Sequence, residues 1–451
     1  MSVLQATDPR HWSVIASAWR ILASTAGIWS AELRQLSAAL RTIWQGRAAL
    51  AAGDQLLRIL RRLDLFRLDC WAADQALSEF AAALDRARRS NDLGIATAAD
   101  IRASKTLREV FRIPAQPPGT DPPACTATPA EVNRWWNGLD PAHRGWLLVT
   151  GPGWIGSLDG IPAAARDRAN RLLLNELRGS GALAHQLAEG DGLRAYLLQI
   201  DPTGDGRAVL ALGDPDSAAN VVTHVPGMTA DLASVGGELA RVARLSAQAG
   251  ELSPGVATSA ILWLGYDAPD HLGEAVSRAQ ADRGATALRY FQEGLRATHE
   301  GLTARQTVLG HSYGSLVVGT AAAEPAFDAD SVVFVGSPGV GVDAAAHLHV
   351  PSTEVWATTS LTDPIQWAAV SPRSLAEDAL LAPAGPAGAL LAFGRPERDL
   401  FFGRNPADPA FGGRTFAAQA SAGHLGYWAE GGPALDALAH IVVGSTDVIP
   451  R

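Results

Sequence analysis

The sequence predicts an all-α helical hairpin followed by an α/β domain built on a doubly wound, mostly parallel sheet. Three observations carry that expectation. Apolar residues in the first ninety positions recur every three or four residues in two long series, the period of a helix face. From about residue 195 onward, short apolar runs alternate with helix-sized segments, the pattern of strands covered on both faces by helices. Between the two regimes lies Ile113 to Pro129, with Pro114, Pro117, Pro118, Pro122, Pro123 and Pro129, a semi-rigid spacer. The expected boundaries are therefore 1–112 for the hairpin, 113–130 for the linker and 131–451 for the α/β domain.

Composition narrows the functional classes. The 451 residues are 47% hydrophobic and 18% charged, which excludes general disorder, and the length calls for more than one core. No stretch reaches ~18 uninterrupted apolar residues, so no transmembrane helix is expected. Met1 to Arg10 lacks the basic start and apolar core of an ordinary signal peptide, so the chain is expected to stay in the cytoplasm or leave by another route. Cys70 and Cys125 are the only cysteines; they cannot build a disulfide framework, and no histidines cluster near them to complete a metal cage. No metal or cofactor is expected. The net charge of −9 hides an asymmetry: residues 1–112 hold 16 basic and 11 acidic side chains, the remainder 21 and 35. A nucleic-acid binder would be basic overall, so nucleic acid is not an expected partner. The imbalance fits either two differently solvated domains or electrostatic docking of one domain on the other or on a partner.

The first helical series is Ile15, Trp19, Leu22, Ala26, Trp29, Leu33, Leu36, Leu40 and Ile43, in steps of four and three. This is a heptad seam, expected to face a partner helix. The second runs Leu56, Ile59, Leu63, Phe66, Cys70, Ala73, Leu77, Phe80, Leu84 and Ala87. Trp44-Gln45-Gly46 lies between them, so the two form an antiparallel pair with arms of roughly 45 Å at ~1.5 Å per residue. Thr97 to Phe111 is a third helix, with the Thr97 hydroxyl placed to cap it. Further on, Glu131 to Gly138 includes Trp135-Trp136, and residues 163–178 are expected to be helical.

The strands expected in the second region are Leu193–Asp201, Arg207–Leu212, Asn220–Val225, Thr258–Leu264, Arg305–Leu309, Ser331–Val335, Thr353–Ala357 and Arg414–Ala420. Thr203-Gly204-Asp205-Gly206 closes the first two into a hairpin that supplies an antiparallel edge. Helices are expected over about 229–249, 272–299 and from Gly314 to Ala323.

Gly310-His311-Ser312-Tyr313-Gly314 sits between a strand and a helix, where a sharp turn would present Ser312 as a nucleophile, its flanking glycines avoiding collision. A serine hydroxyl needs a base, and the base an orienting acid. His424 follows the last strand, and Asp363 follows the strand ending near Ala357, both at the edge of a parallel sheet where sites form. Asp343 and Asp378 are alternative acids. His347 and His349 precede a strand, His440 lies within the final helix, and His311 adjoins the nucleophile, so these fit the base less well. An oxyanion hole would combine the Tyr313 N–H with that of Gly227 or Met228, since Pro226 has none to give. Residues 366–413, between acid and base, hold Trp367, Phe393, Phe401, Phe402 and Phe411 and the Pro/Gly run 383–388. They read either as a flexible apolar cap favouring a hydrophobic acyl group or as core packing.

Two resemblances follow. The hairpin, with Trp44 and Gly46 at its turn, resembles the W-x-G helical-hairpin proteins exported by type VII secretion, which implies a protein partner and that export route. The Tyr-x-x-x-Asp/Glu signal of those proteins is matched only at Tyr266–Asp270, far from the hairpin; the competing reading is a structural or partner-binding hairpin. Leu158-Asp159-Gly160-Ile161-Pro162, Arg166-Asp167, Ala169-Asn170-Arg171, Val225-Pro226-Gly227, Gly310 to Ser315, Gly336-Ser337-Pro338-Gly339 and Gly423-His424 resemble an actinobacterial α/β-hydrolase family first catalogued as a domain of unknown function. That resemblance implies the α/β-hydrolase fold and a Ser-His-Asp site, and it supplies no substrate. The expected activity is hydrolysis of carboxylic esters, lipid or other acyl esters among them. The alternatives are acyl transfer on the same triad and an interaction protein in which the hairpin carries the main role.

Overall fold

Residues 8–90, 92–112, 122–177, 183–184, 187, 193–365, 369–370 and 399–449 are described by the computed structural model. The chain divides into two units, Met1–Pro122 with Trp136–Ile155, and Pro123–Trp135 with Gly156–Arg451.

In the first unit, helix α1 (Pro9–Ile43) starts where Asp8 accepts from the Arg10 N–H at 3.0 Å and proline occupies the first turn, a favoured N-terminus. It ends at Trp44, and Gly46, at φ +102°, turns the chain into α2 (Arg47–Ser90). The register is antiparallel: Arg20 holds Asp74 at 2.9 Å, Arg34 holds Asp64, and Trp12 meets Phe80 edge-on at 5.4 Å. Helix α3 (Leu93–Glu109) begins four residues earlier than the apolar period indicates. Its cap is Asp92, which accepts from the Gly94 N–H at 2.8 Å. Thr97 lies one turn inside, and its hydroxyl donates back to the Leu93 carbonyl. Phe80, Leu84 and alanines of α2 form a core with Ala96, Ala99 and Ala103 of α3.

The seam expected on α1 is displaced. Its buried stripe is Pro9, Ala16, Ala23, Ser30 and Ser37, with Ala26, small residues at seven-residue intervals that let α2 approach closely. Ile15, Leu22, Trp29, Leu36 and Ile43 are exposed. Both stripes share the heptad period, and periodicity alone does not say which one faces the partner helix. On α2 the expected seam is buried from Cys70 to Ala87, whereas Ile59 and Phe66 stay exposed.

Helix α4 (Pro129–Gly138) opens on a reciprocal cap, Thr128 N–H to Glu131 at 2.8 Å and Glu131 N–H to the Thr128 hydroxyl at 3.3 Å, a capping box. Helix α5 (Pro141–Thr150) is capped by Asp140.

In the second unit, α6 (Ala163–Leu174) lies on β1 (Ala195–Asp201). The strands β2 (Arg207–Leu212), β3 (Asn220–Val225), β4 (Thr258–Leu264), β5 (Arg305–His311), β6 (Ser331–Val335) and β7 (Val355–Thr358) follow. A two-stranded hairpin, β8 (Asp399–Leu400) with β9 (Gly403–Arg404), precedes β10 (Arg414–Thr415). The main sheet has the order β1-β2-β4-β3-β5-β6-β7-β10. Only the β1–β2 and β2–β4 pairs are antiparallel, so the hairpin does supply the antiparallel edge. The expected doubly wound sheet is present. Helix α7 (Val235–Leu252) leads from β3 to β4, while α8 (Leu272–Ala275) and α9 (Ala279–Thr298) lead back across β3 to β5. Right-handed crossovers in opposite directions place their helices on opposite faces. Consistently, α9 packs with α10 (Gly314–Ala322), and α7 packs with α11 (Pro433–Val443).

Strands β1, β5 and β7 shift by one or two residues at an end, and three further boundaries differ more from expectation. The helix expected over 272–299 breaks after Ala275, where the Ser277 carbonyl accepts from the Tyr313 hydroxyl at 2.5 Å and the Ser277 hydroxyl caps Ala279 N–H at 3.2 Å. The last strand pairs for two residues only, and Phe416 adds one more bond to β7, donating to Ala357 at 3.2 Å. The expected helix at 229–249 starts at Val235.

The Arg166-Asp167 and Asn170-Arg171 pairs fasten α6 to the sheet edge. Arg166 donates to the Leu198 carbonyl at 2.8 Å, Asn170 to the Leu197 carbonyl at 3.0 Å, and Asp167 accepts from the Leu197 N–H at 2.8 Å and from Arg171 at 2.7 Å. Asp167 is buried, so removing its carboxylate strands a buried N–H and an arginine. Asp167→Ala is expected to destabilise the protein by about 2–4 kcal/mol. A urea midpoint equal to wild type would remove Asp167 from this role.

Candidate active site

The site lies where the strand order reverses, at the carboxyl ends of β3 and β5. This is the crevice in which open α/β sheets bind ligands. Val225 at the end of β3 pairs with Gly310 of β5, which sets the Pro226-Gly227-Met228 loop beside the Ser312 turn.

Ser312 is held at φ +53° between β5 and α10, a strained conformation for a residue with a side chain. Its N–H donates to the Val335 carbonyl at 3.0 Å. The surrounding glycines are required by space. A Cβ on Gly314 would stand 2.2 Å from the Val225 carbonyl oxygen, and one on Gly310 2.6 Å from Ser315 Cα. A Cβ on Gly227 would stand 2.5 Å from Ser312 Cβ and 2.9 Å from the Tyr313 nitrogen. Gly227 and Tyr313, two of the three expected oxyanion donors, therefore lie against the nucleophile turn; Met228 follows, half-buried. The Tyr266 hydroxyl fixes this loop, donating to the Pro226 carbonyl at 2.7 Å. Tyr266 is thus a buried residue of the site's wall.

His424 and Asp363 are brought together. His424 Nδ1 lies 2.8 Å from Asp363 Oδ1. The carboxylate is fully buried and accepts two further bonds, from the Ile365 N–H at 2.9 Å and the Tyr427 hydroxyl at 2.5 Å. The Thr362 hydroxyl accepts from the Gly423 N–H at 3.1 Å, tying the Asp363 loop to that of His424. The His424 ring packs against that of His311 with centroids 4.7 Å apart. His311, the residue before Ser312, donates from Nε2 to the His424 carbonyl at 2.9 Å. The alternative acid Asp343 instead accepts from the Arg404 N–H at 3.1 Å, and Asp378 lies outside the described residues. Among the other histidines considered, His440 binds the Ser445 hydroxyl at the end of α11.

Electrostatics behind the turn separate charged from neutral groups. Burial, with the neighbouring His424 and His224, holds the His311 pKa well below the usual imidazole range, so His311 stays neutral. Burial acts to raise Glu238, but its hydrogen bond with His224 and the Arg241 guanidinium hold it down to about 2. Burial and the Asp363 charge push the Tyr427 hydroxyl upward, keeping it a donor.

Tyr427, Tyr266, His224 and Glu238 were not legible as site residues. Only Tyr427 carries a local signal, three positions after His424. Of the aromatics between acid and base, Trp367 and Phe393 lie outside the described residues. Phe411 is core, Phe402 is buried edge-on against Tyr313 at 6.0 Å, and Phe401 is exposed. Among the described residues no group of three or more His, Cys, Asp or Glu could hold a metal ion, and no helix is long and apolar enough to cross a membrane.

Comparison with known proteins places this geometry. A family described as alpha/beta hydrolase matches residues 201–372, which include Ser312 and Asp363. An uncharacterized protein of Mycobacterium bovis is 36% identical over 208 residues, covering 44% of this chain and 74% of the relative. The chain belongs to this α/β-hydrolase family. An uncharacterized protein of Mycobacterium tuberculosis is 32% identical over 309 residues, 57% of this chain and 45% of the relative, so the chain spans about half that relative's length. No solved structure matches it.

Two predictions arise from the candidate site. Gly227→Ala, forced against the Ser312 turn, is expected to lower stability by about 1–3 kcal/mol and to change reactivity at Ser312; unchanged thermal unfolding would show that the loop yields freely. Glu238 has a lower pKa folded than its ordinary value, so its contribution is present above that value and is lost as pH falls through about 2. Between pH 4.5 and 2, wild type should lose more unfolding free energy than Glu238→Gln, and parallel curves would contradict this.

Proposed function

We propose that the protein is a serine hydrolase acting on carboxylic esters. The observation that carries this reading is the strained Ser312 at φ +53° between β5 and α10, with His424 and Asp363 bonded to each other at 2.8 Å on adjoining loops. A turn that holds a serine in this conformation exposes its Oγ at the top of the sheet. In the proposed reaction Ser312 Oγ attacks the ester carbonyl while His424 takes its proton through Nε2, the nitrogen not engaged by Asp363. The developing oxyanion is met by the Tyr313 N–H and that of Gly227 or Met228. Collapse of the tetrahedral intermediate releases the alcohol, protonated by His424, and leaves an acyl-serine. Water, deprotonated by His424, then frees the acid and restores the serine. Asp363 orients His424 and stabilises the imidazolium.

Exposed Leu361, Phe401 and Leu425, near Asp363, beside Phe402 and next to His424, favour an apolar acyl group. In a p-nitrophenyl ester series, medium and long acyl chains should therefore be cleaved faster than acetate. Equal rates across the series would refute the apolar preference.

Wild type is expected to react with a fluorophosphonate probe, and Ser312→Ala to lose labelling and at least about 10³-fold in kcat. Folded wild-type protein that stays unlabelled would overturn the proposal. Tyr427→Phe removes one donor from Asp363 and is expected to lower kcat/KM about 10-fold with the fold intact, while KM changes little. An unchanged kcat would leave Tyr427 no part in holding the acid.

A further inference from the structure

Helix α1 has a second apolar face. Ile15, Leu22, Trp29, Leu36 and Ile43 recur every seven residues and are 44%, 44%, 55%, 67% and 81% exposed. Val14, Ile21 and Ile28, also exposed, flank the row. Large apolar residues at heptad spacing form the stripe by which one helix packs on another. These eight side chains leave roughly 900 Å² in water, close to the ~800 Å² that each partner contributes to a stable interface. Such a patch is larger than isolated chains usually expose.

The row is also a palindrome, Ile-Leu-Trp-Leu-Ile about Trp29. A two-fold axis makes the same patch meet itself, with residue i facing j and j facing i. Two antiparallel copies centred on Trp29 set Ile15 against Ile43, Leu22 against Leu36, and Trp29 against its equivalent. The intervening layers bring Ala18 near Ala39 and Thr25 near Glu32, one residue off the two-fold register. Parallel copies would instead set Glu32 beside Glu32 at matching height. We propose that the chain forms an antiparallel homodimer through this face of α1, with the two-fold axis at Trp29. The dimer is independent of the ester-hydrolase reading.

Disulfide trapping on the full chain tests it, in a Cys125→Ser background because Cys125 is exposed while Cys70 is buried. Under mild oxidation Trp29→Cys should give a covalent dimer, and so should a variant carrying both Leu22→Cys and Leu36→Cys. Leu22→Cys alone should not, since its two copies stand about 21 Å apart along the antiparallel axis at ~1.5 Å per residue. Sedimentation at tens of micromolar should give twice the 47.1 kDa chain mass. Trp29→Glu should return it to the single-chain value with helical content and fluorophosphonate labelling unchanged. A wild-type chain that sediments as a monomer overturns the proposal, as would happen if the face were covered by another protein or by the chain's own hydrolase unit. Trapping of Leu22→Cys as readily as Trp29→Cys overturns the antiparallel arrangement.

Discussion

Everything at the site depends on three backbone approaches too close for a side chain. Gly310, Gly314 and Gly227 each face atoms that a Cβ would strike at under 3.0 Å, and between them they hold Ser312 in its left-handed conformation. That conformation costs on the order of 1–3 kcal/mol, offset because β3, β5 and α10 are locked by a fully buried sheet. The strain is useful. It lifts the serine side chain away from both strand and helix and leaves the following N–H beside the Pro226-Gly227 loop. The same crowding that forces the backbone thus puts the Ser312 side chain and the Tyr313 N–H on one turn.

The second dependence is on the burial of Asp363. A buried carboxylate with one partner would be costly, yet Asp363 receives bonds from His424, Tyr427 and Ile365. Nearby, Glu238 pairs with Arg241, while His311 is kept neutral under the His424 ring and donates to the His424 backbone carbonyl. Trp428 stands edge-on to both His224 and His311.

The sequence made the sheet legible because its strands are short, apolar and bounded, and it offered Ser312, Asp363 and His424 as candidates because each follows a strand. It concealed contacts made across the fold. Nothing local marks Glu238, one turn into α7, as the partner of His224, and Tyr266 looked like part of an unrelated signal. The late start of the apolar period points to Thr97 as a cap; Asp92, the stronger local acceptor, sets the boundary. The Arg166-Asp167 and Asn170-Arg171 pairs looked like part of a functional signature, and their hydrogen bonds serve the edge of the sheet.

The misplaced seam on α1 is the most informative of these differences. Two stripes share one period, and the close contact with α2 went to the small one, because Ala16, Ala23, Ser30 and Ser37 allow Arg20 and Arg34 to reach the buried Asp74 and Asp64. Those two ion pairs neutralise arginines that would otherwise charge the outer surface of the helix. The outward stripe is left with Glu32 as its one charge. A helix apolar on two faces is ordinarily an interior element. Here the small residues and internal ion pairs satisfy α2, and the large side chains remain free to specify what docks against them.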